Sequence, residues 1–141
     1  MIIKQLSVFL ENKSGRLAEI TRLLGEAEIN ISAFSIADSS DYGILRMIVT
    51  EPDKATAVLK ESGFAVSITD VICLVVPNVP GALFQALKVL SDGGVSVDYM
   101  YAFAVENEAT VVIRTDDPAQ AISVLQQNEM QLVSASQIYR L

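Results

Sequence analysis

The chain has 141 residues, 51% of them hydrophobic, and carries 17 acidic against ten basic side chains for a net charge of −7. That balance excludes the basic field needed to displace counterions from nucleic acid. The absence of histidine and tryptophan excludes histidine zinc ligands, Ser-His-Asp triads and histidine general bases together.

In chain order, Ile2 to Leu10 alternates as a strand, with Leu6, Val8 and Leu10 on one face and Gln5, Ser7 and Phe9 on the other. This opening run is too polar and too short for a signal peptide or a membrane span, so a cytoplasmic protein is expected. Asn12-Lys13-Ser14-Gly15-Arg16-Leu17 turns the chain into a helix whose apolar stripe is Leu17, Ile20, Leu23, Leu24 and Ala27. Strands follow over Asn30 to Ala37 and Tyr42 to Thr50. A second helix has Pro52 in its first turn and Gly63 as its stop.

Phe64 to Val76 is almost continuously strand-like, with no Pro/Gly/Ser-rich linker. Its lone cysteine, Cys73, reads as a buried inert thiol. A third helix runs from Gly81 to Asp92, with Leu83, Ala86, Leu87 and Leu90 inward, and stops at Gly93-Gly94. Two more strands cover Val95 to Val105 and Ala109 to Thr115. Asp117 caps a fourth helix that has Pro118 at its first position. Gln131 to Tyr139 is expected as the closing strand.

The first turn returns 66 residues later as Asn78-Val79-Pro80-Gly81-Ala82-Leu83, and the whole element order returns with it. Residues 1–68 and 69–141 are therefore expected to be two copies of one unit. Units this small have marginal cores alone, so they are expected to pack together or dimerise. The order βαββαβ, twice, gives an α+β fold: two tandem ferredoxin-like sandwiches, each an antiparallel sheet with helices on one face.

Strand, Asn-x-x-Gly-x-Leu, amphipathic helix and branched-chain strand entry (Asn30-Ile31, then Ser96-Val97) resemble the ACT domain, the small-molecule-binding regulatory module of amino-acid metabolism. The resemblance covers essentially the whole chain as a tandem pair. It implies a ligand held between two paired domains, touching one loop and the second-strand edge of the neighbour. Phenylalanine-sensing members pair Gly-Ala-Leu with Glu-Ser-Arg-Pro. Here Gly81-Ala82-Leu83 is present, but Tyr101-Ala102-Phe103-Ala104 stands in the second place.

The physics of such a site follows from an amino acid's two charged ends. Its carboxylate suits free N–H groups at a helix start, Gly15 and Gly81 allow close approach, and the Asn12 and Asn78 carboxamides can meet either end. The candidate ligand residues are Asn12, Ser14, Gly15, Arg16 and Leu17 in the first loop. In the second they are Asn78, Val79, Pro80, Gly81, Ala82 and Leu83. Asn30, Ile31, Val97 and Asp98 join them from the strand entries. Simpler roles compete: Leu17 and Leu83 as core, Arg16 as a solvated cation, and Tyr99, Tyr101 and Phe103 as packing between units. Of the two loops, the one at Asn78 is expected to be better formed.

No catalytic residue, metal site or cofactor is implied. The expected function is a non-catalytic regulatory protein that senses a free amino acid, acting as a homo-oligomer or on a separate enzyme. The alternative is a ligand-independent dimerisation module. An acylphosphatase-like enzyme is disfavoured, because Arg16 has only one loop glycine beside it and no arginine in the second copy. A heavy-metal chaperone would need a Cys-x-x-Cys that the chain lacks.

Overall fold

The computed structural model describes residues 1–11, 13–38 and 41–139. Its elements are β1 (Ile3–Glu11), α1 (Arg16–Glu26), β2 (Ile31–Asp38), β3 (Tyr42–Val49), α2 (Pro52–Glu61), β4 (Ala65–Pro77), α3 (Ala82–Asp92), β5 (Val97–Val105), β6 (Glu108–Thr115), α4 (Pro118–Gln127), β7 (Gln131–Leu132) and α5 (Ala135–Ile138). They form two compact units. One holds Lys4–Thr69 and the described residues from Ser136 on; the other holds Met1–Ile3 and Asp70–Ala135. β4 is one strand shared by both, 65–69 in the first and 70–77 in the second.

In the first unit β3 lies between β1 and β2, antiparallel to both, with Leu6 opposite Met47 and Leu10 opposite Gly43. Leu6, Val8, Leu45 and Met47 thereby share a face with Ile20 and Leu24 of α1 and Leu59 of α2, all essentially buried. In the second unit β6 lies between β4 and β5, and Ile72, Leu74, Val111 and Ile113 meet Leu90 and Leu125 in the same way.

The pairing is the same at the 66-residue offset. Leu6↔Met47 becomes Ile72↔Ile113, and both sheets shift register at the same point, between Ile31 and Ala33 and between Val97 and Tyr99. A shared register preserves which face is buried, since one slip would invert every side chain.

The helix ends repeat too. After α2 the N–H of Gly63 donates to Lys60 O (3.0 Å) and that of Phe64 to Leu59 O (3.0 Å), the paired bonds of a Schellman stop. The same pair closes α1, α3 and α4, each with a left-handed residue after the cap: Glu28 (φ 59°), Gly94 (φ 77°) and Glu129 (φ 57°). Asp117 caps α4 as expected, accepting from the Gln120 N–H at 3.1 Å.

Two expectations are corrected. The closing strand does not reach Tyr139: β7 ends at Leu132 and Ala135–Ile138 is a helical turn. Ser134-x-x-Gln137 has the capping-box spacing that opens such a turn, and the turn leaves Ile138 fully buried. Leu17 and Leu83 are not core, being 38% and 36% exposed, because the sheet-facing stripe begins one turn later at Ile20 and Ala86. The second face of β1 is covered near its start and open at Phe9. Gln5 is fully buried and Ser7 nearly so, with Gln5 Nε2 donating to Ser7 Oγ at 3.4 Å.

Candidate functional site

Both loops end in a left-handed glycine, Gly15 at φ 88° and Gly81 at φ 86°. A Cβ at either would meet nothing within 4 Å, so conformation rather than room for a ligand demands glycine there. Each glycine is an N-cap without a side-chain acceptor, and the first helical bonds are Glu19 N–H to Gly15 O (2.9 Å) and Gln85 N–H to Gly81 O (3.1 Å). At each start the first helical N–H is held within the turn, Arg16 by Lys13 O (3.4 Å) and Ala82 by Val79 O (3.3 Å), and the N–H groups that follow have no intrahelical partner.

Around these shared starts the side chains differ. Asn12 lies outside the described residues. Ser14 is exposed, and Arg16 is half-buried, its guanidinium 5.9 Å from the Phe64 ring centre and 3.4 Å from Glu19 Oε2. In the second loop Asn78 is committed to structure. Its N–H donates to Asn107 O (2.8 Å) and its Nδ2 to Glu106 O (3.4 Å), tying the loop to the β5–β6 turn. Val79, Pro80 and Leu83 are exposed, and Ala82 packs against the second core.

The strand-entry candidates are not beside the loops of their own units. Ile31 pairs with Val49 at one end of the first sheet, whereas Asp38, Gly43 and Leu10 mark the other end, where the first loop departs. Val97 likewise pairs with Thr115, far from the Pro77↔Glu108 end. Ile31 and Val97 are half-buried against their cores; Asn30 and Asp98 are exposed, with the Asn30 N–H held by Thr50 Oγ1 at 3.1 Å.

A hollow of about 270 Å³ opens beside the first loop. The end of β1 contributes Phe9, Leu10 and Glu11, and Tyr42 comes from the start of β3. The α2 stop supplies Ser62, Gly63, Phe64 and Ala65, and Arg16 closes the wall from the helix start. The Schellman turn delivers Phe64 to this place. A second hollow of about 290 Å³ lies on the other side of Phe9 and Tyr42, bounded by Ala37, Asp38 and Ile44.

Arg16 alone among the proposed ligand residues lines the hollow. The others were missed because they come from three distant segments. The available signal was an aromatic off the core stripe: Phe9 is 56% and Tyr42 57% exposed.

The electrostatics at the mouth are simple. Glu11 accepts an ion-paired hydrogen bond from Lys13 Nζ at 2.8 Å, which holds its carboxyl below the usual 4.5. Glu11 is thus an anion already matched by Lys13. Arg16 meets Glu19 at 3.4 Å, stands over the Phe64 ring, and adds a smaller pull on the Glu11 carboxyl. Cys73, by contrast, is pushed up to about 12 by burial, which removes it as a nucleophile. Among the described residues, no group of three or more His, Cys, Asp or Glu could hold a metal ion. No helix among them is long and apolar enough to cross a membrane.

Comparison with known proteins gives this geometry its family. The model of the ACT domain pair matches residues 1–141. A solved structure from Bacteroides thetaiotaomicron, protein BT0572, is 52% identical, covers 100% of this chain and 98% of its own, and superposes with a TM-score of 0.97. The regulatory subunits of aspartate kinase from Thermus thermophilus and Thermus flavus are similar in fold. They are 13% and 14% identical, with TM-scores of 0.68 and 0.65, covering 88% and 90% of this chain and 91% and 94% of theirs. No curated protein matches. The repeated register, the twin glycine-led helix starts and the full-length match lead to one conclusion: the chain belongs to the ACT domain pair family.

Proposed function

We propose that this protein is a non-catalytic regulator that binds a free amino acid in the hollow beside the first loop. The observation that carries this reading is the composition of the wall. A half-buried guanidinium, carried on the first residue of a helix without a side-chain cap, lines the same hollow as Phe9, Tyr42 and Phe64. A carboxylate is stabilised at the guanidinium and the helix start, and an apolar side chain at the rings. At about 270 Å³ the hollow is just below the roughly 300–1,000 Å³ of drug-sized sites, a scale suited to a metabolite. The fold likeness to aspartate kinase regulatory subunits supports a regulatory rather than catalytic role. The regulated enzyme would then be a separate chain.

A thermal-shift screen of the common amino acids at millimolar concentration tests this. A true ligand at 100 times its Kd stabilises the native state by about 2.7 kcal/mol, an upward shift of several degrees for a chain of this size. No shift with any of them would overturn the proposal. A second reading, ligand-independent association, is favoured by the edge strand β2, where Phe34 is 62% and Ile36 43% exposed. It predicts a concentration-dependent oligomer that is insensitive to every amino acid.

A further inference from the structure

Resting on that reading, we infer that ligand binding belongs to the first repeat alone, and that the second repeat keeps the scaffold of the site with its chemistry removed. The two units make this test internally, because each position that lines the hollow has a counterpart 66 residues on. The scaffold is unchanged at those counterparts. The glycine-led helix start recurs at Gly81, and the left-handed residue after α2 recurs after α4. The core is also kept in kind, with Leu6, Leu24 and Leu59 answered by Ile72, Leu90 and Leu125, all fully buried.

The wall is not kept. Arg16 becomes Ala82, so no cation stands at the second helix start. Phe9 and Phe64 become Val75 and Met130, which replaces both rings by aliphatic side chains. Tyr42 and Gly63 become Glu108 and Glu129, while the one acid of the first wall, Glu11, becomes Pro77 and its partner Lys13 becomes Val79. Glu129 holds φ 57°, so the acid sits on a backbone shaped like that of Gly63. An amino-acid carboxylate approaching the second loop meets a glycine-led helix start of the same kind, but with two carboxylates in place of one and both basic side chains gone. The Asn78 amide, already holding the β5–β6 turn, does not restore that balance. The binding module is thus one repeat, and the other is a structural partner freed to diverge.

The test uses the full chain and isothermal titration with whichever of the twenty common amino acids raises the melting temperature most. We expect one ligand per chain. Arg16→Ala should weaken binding roughly 10- to 100-fold, the loss typical of a charged hydrogen-bond partner. Arg16→Lys should recover part of it, because the charge returns without the guanidinium's fork of donors. Val79→Glu should leave affinity and stoichiometry unchanged; Val79 is 59% exposed in the second loop, so an acid there is compatible with folding. Two ligands per chain, or binding that survives Arg16→Ala but is lost in a folded Val79→Glu, would overturn the inference while leaving amino-acid sensing intact. No binding of any of the twenty would overturn the sensing reading itself, and this inference with it.

Discussion

Where the first repeat places Arg16, Tyr42 and Phe64, the second places Ala82, Glu108 and Met130, on strands paired in the same register and helices closed by the same bonds. Backbone and core have been held while one surface region changed chemical class. The comparison separates two kinds of constraint. Apolar packing tolerates exchange within its class, as Leu6 for Ile72 or Met47 for Ile113. A recognition wall has no such slack, because replacing a cation by a methyl group removes the interaction outright. Left-handed sites show a third behaviour. Glu28 answers Gly94 and Gly63 answers Glu129, so the turn accepts a side chain at a modest cost in strain.

The core provides the largest test of this equivalence. Leu24 and Leu90 are both fully buried at matching positions. Leu24→Ala and Leu90→Ala should each cost about 2–5 kcal/mol in urea unfolding. Costs outside that range for one repeat alone would break the symmetry of the cores. An intermediate effect is expected at a place where the repeats differ. A Cβ on Gly93 would lie 2.6 Å from Val124 Cγ1 and 2.7 Å from its Cγ2, and valine has little rotamer freedom in a helix. Gly93→Ala should cost about 1–3 kcal/mol, although the first repeat carries alanine there, at Ala27. A neutral result would mean that α4 shifts as easily as a surface element.

The smallest difference concerns helix starts. Asp117 accepts from Gln120 N–H, while Glu51 at the matching position makes no cap bond. Asp117→Ala should therefore cost about 1 kcal/mol, and Glu51→Ala less than about 0.5 kcal/mol. Equal costs would show that the cap contributes nothing beyond a surface charge.

The repeat, the four helices and the cores were legible because apolar periodicity and Gly/Pro punctuation report local structure. Cys73 in its apolar run and Asp117 before Pro118 behaved as their neighbours required. The site was legible only at Arg16. Its wall is assembled by pairing β1 with β3, which sets Glu11 opposite Tyr42, and by the α2 stop, which delivers Phe64. Neither fact is local. The sequence reading also favoured the Asn78 loop, whose asparagine is engaged in holding a turn. The short β7 differs for a related reason: the 66-residue offset carries the start of β4 onto Gln131 to Tyr139, but only Gln131 and Leu132 find a partner strand, at Val75 and Leu74.

The exchange of chain ends between the units has a consequence for the order of synthesis. The stretch Lys4–Thr69 is made before Asp70–Ala135, yet its unit also includes the described residues from Ser136 on. There Ile138 is fully buried, and the Tyr139 hydroxyl accepts from the Lys4 N–H at 3.0 Å. These residues are made after all of Asp70–Ala135, a delay of several seconds at roughly 5–20 residues per second. The unit whose main body is made first is thus completed last. During that interval the pairing partner of the Lys4 amide does not yet exist, and neither does the side chain of Ile138.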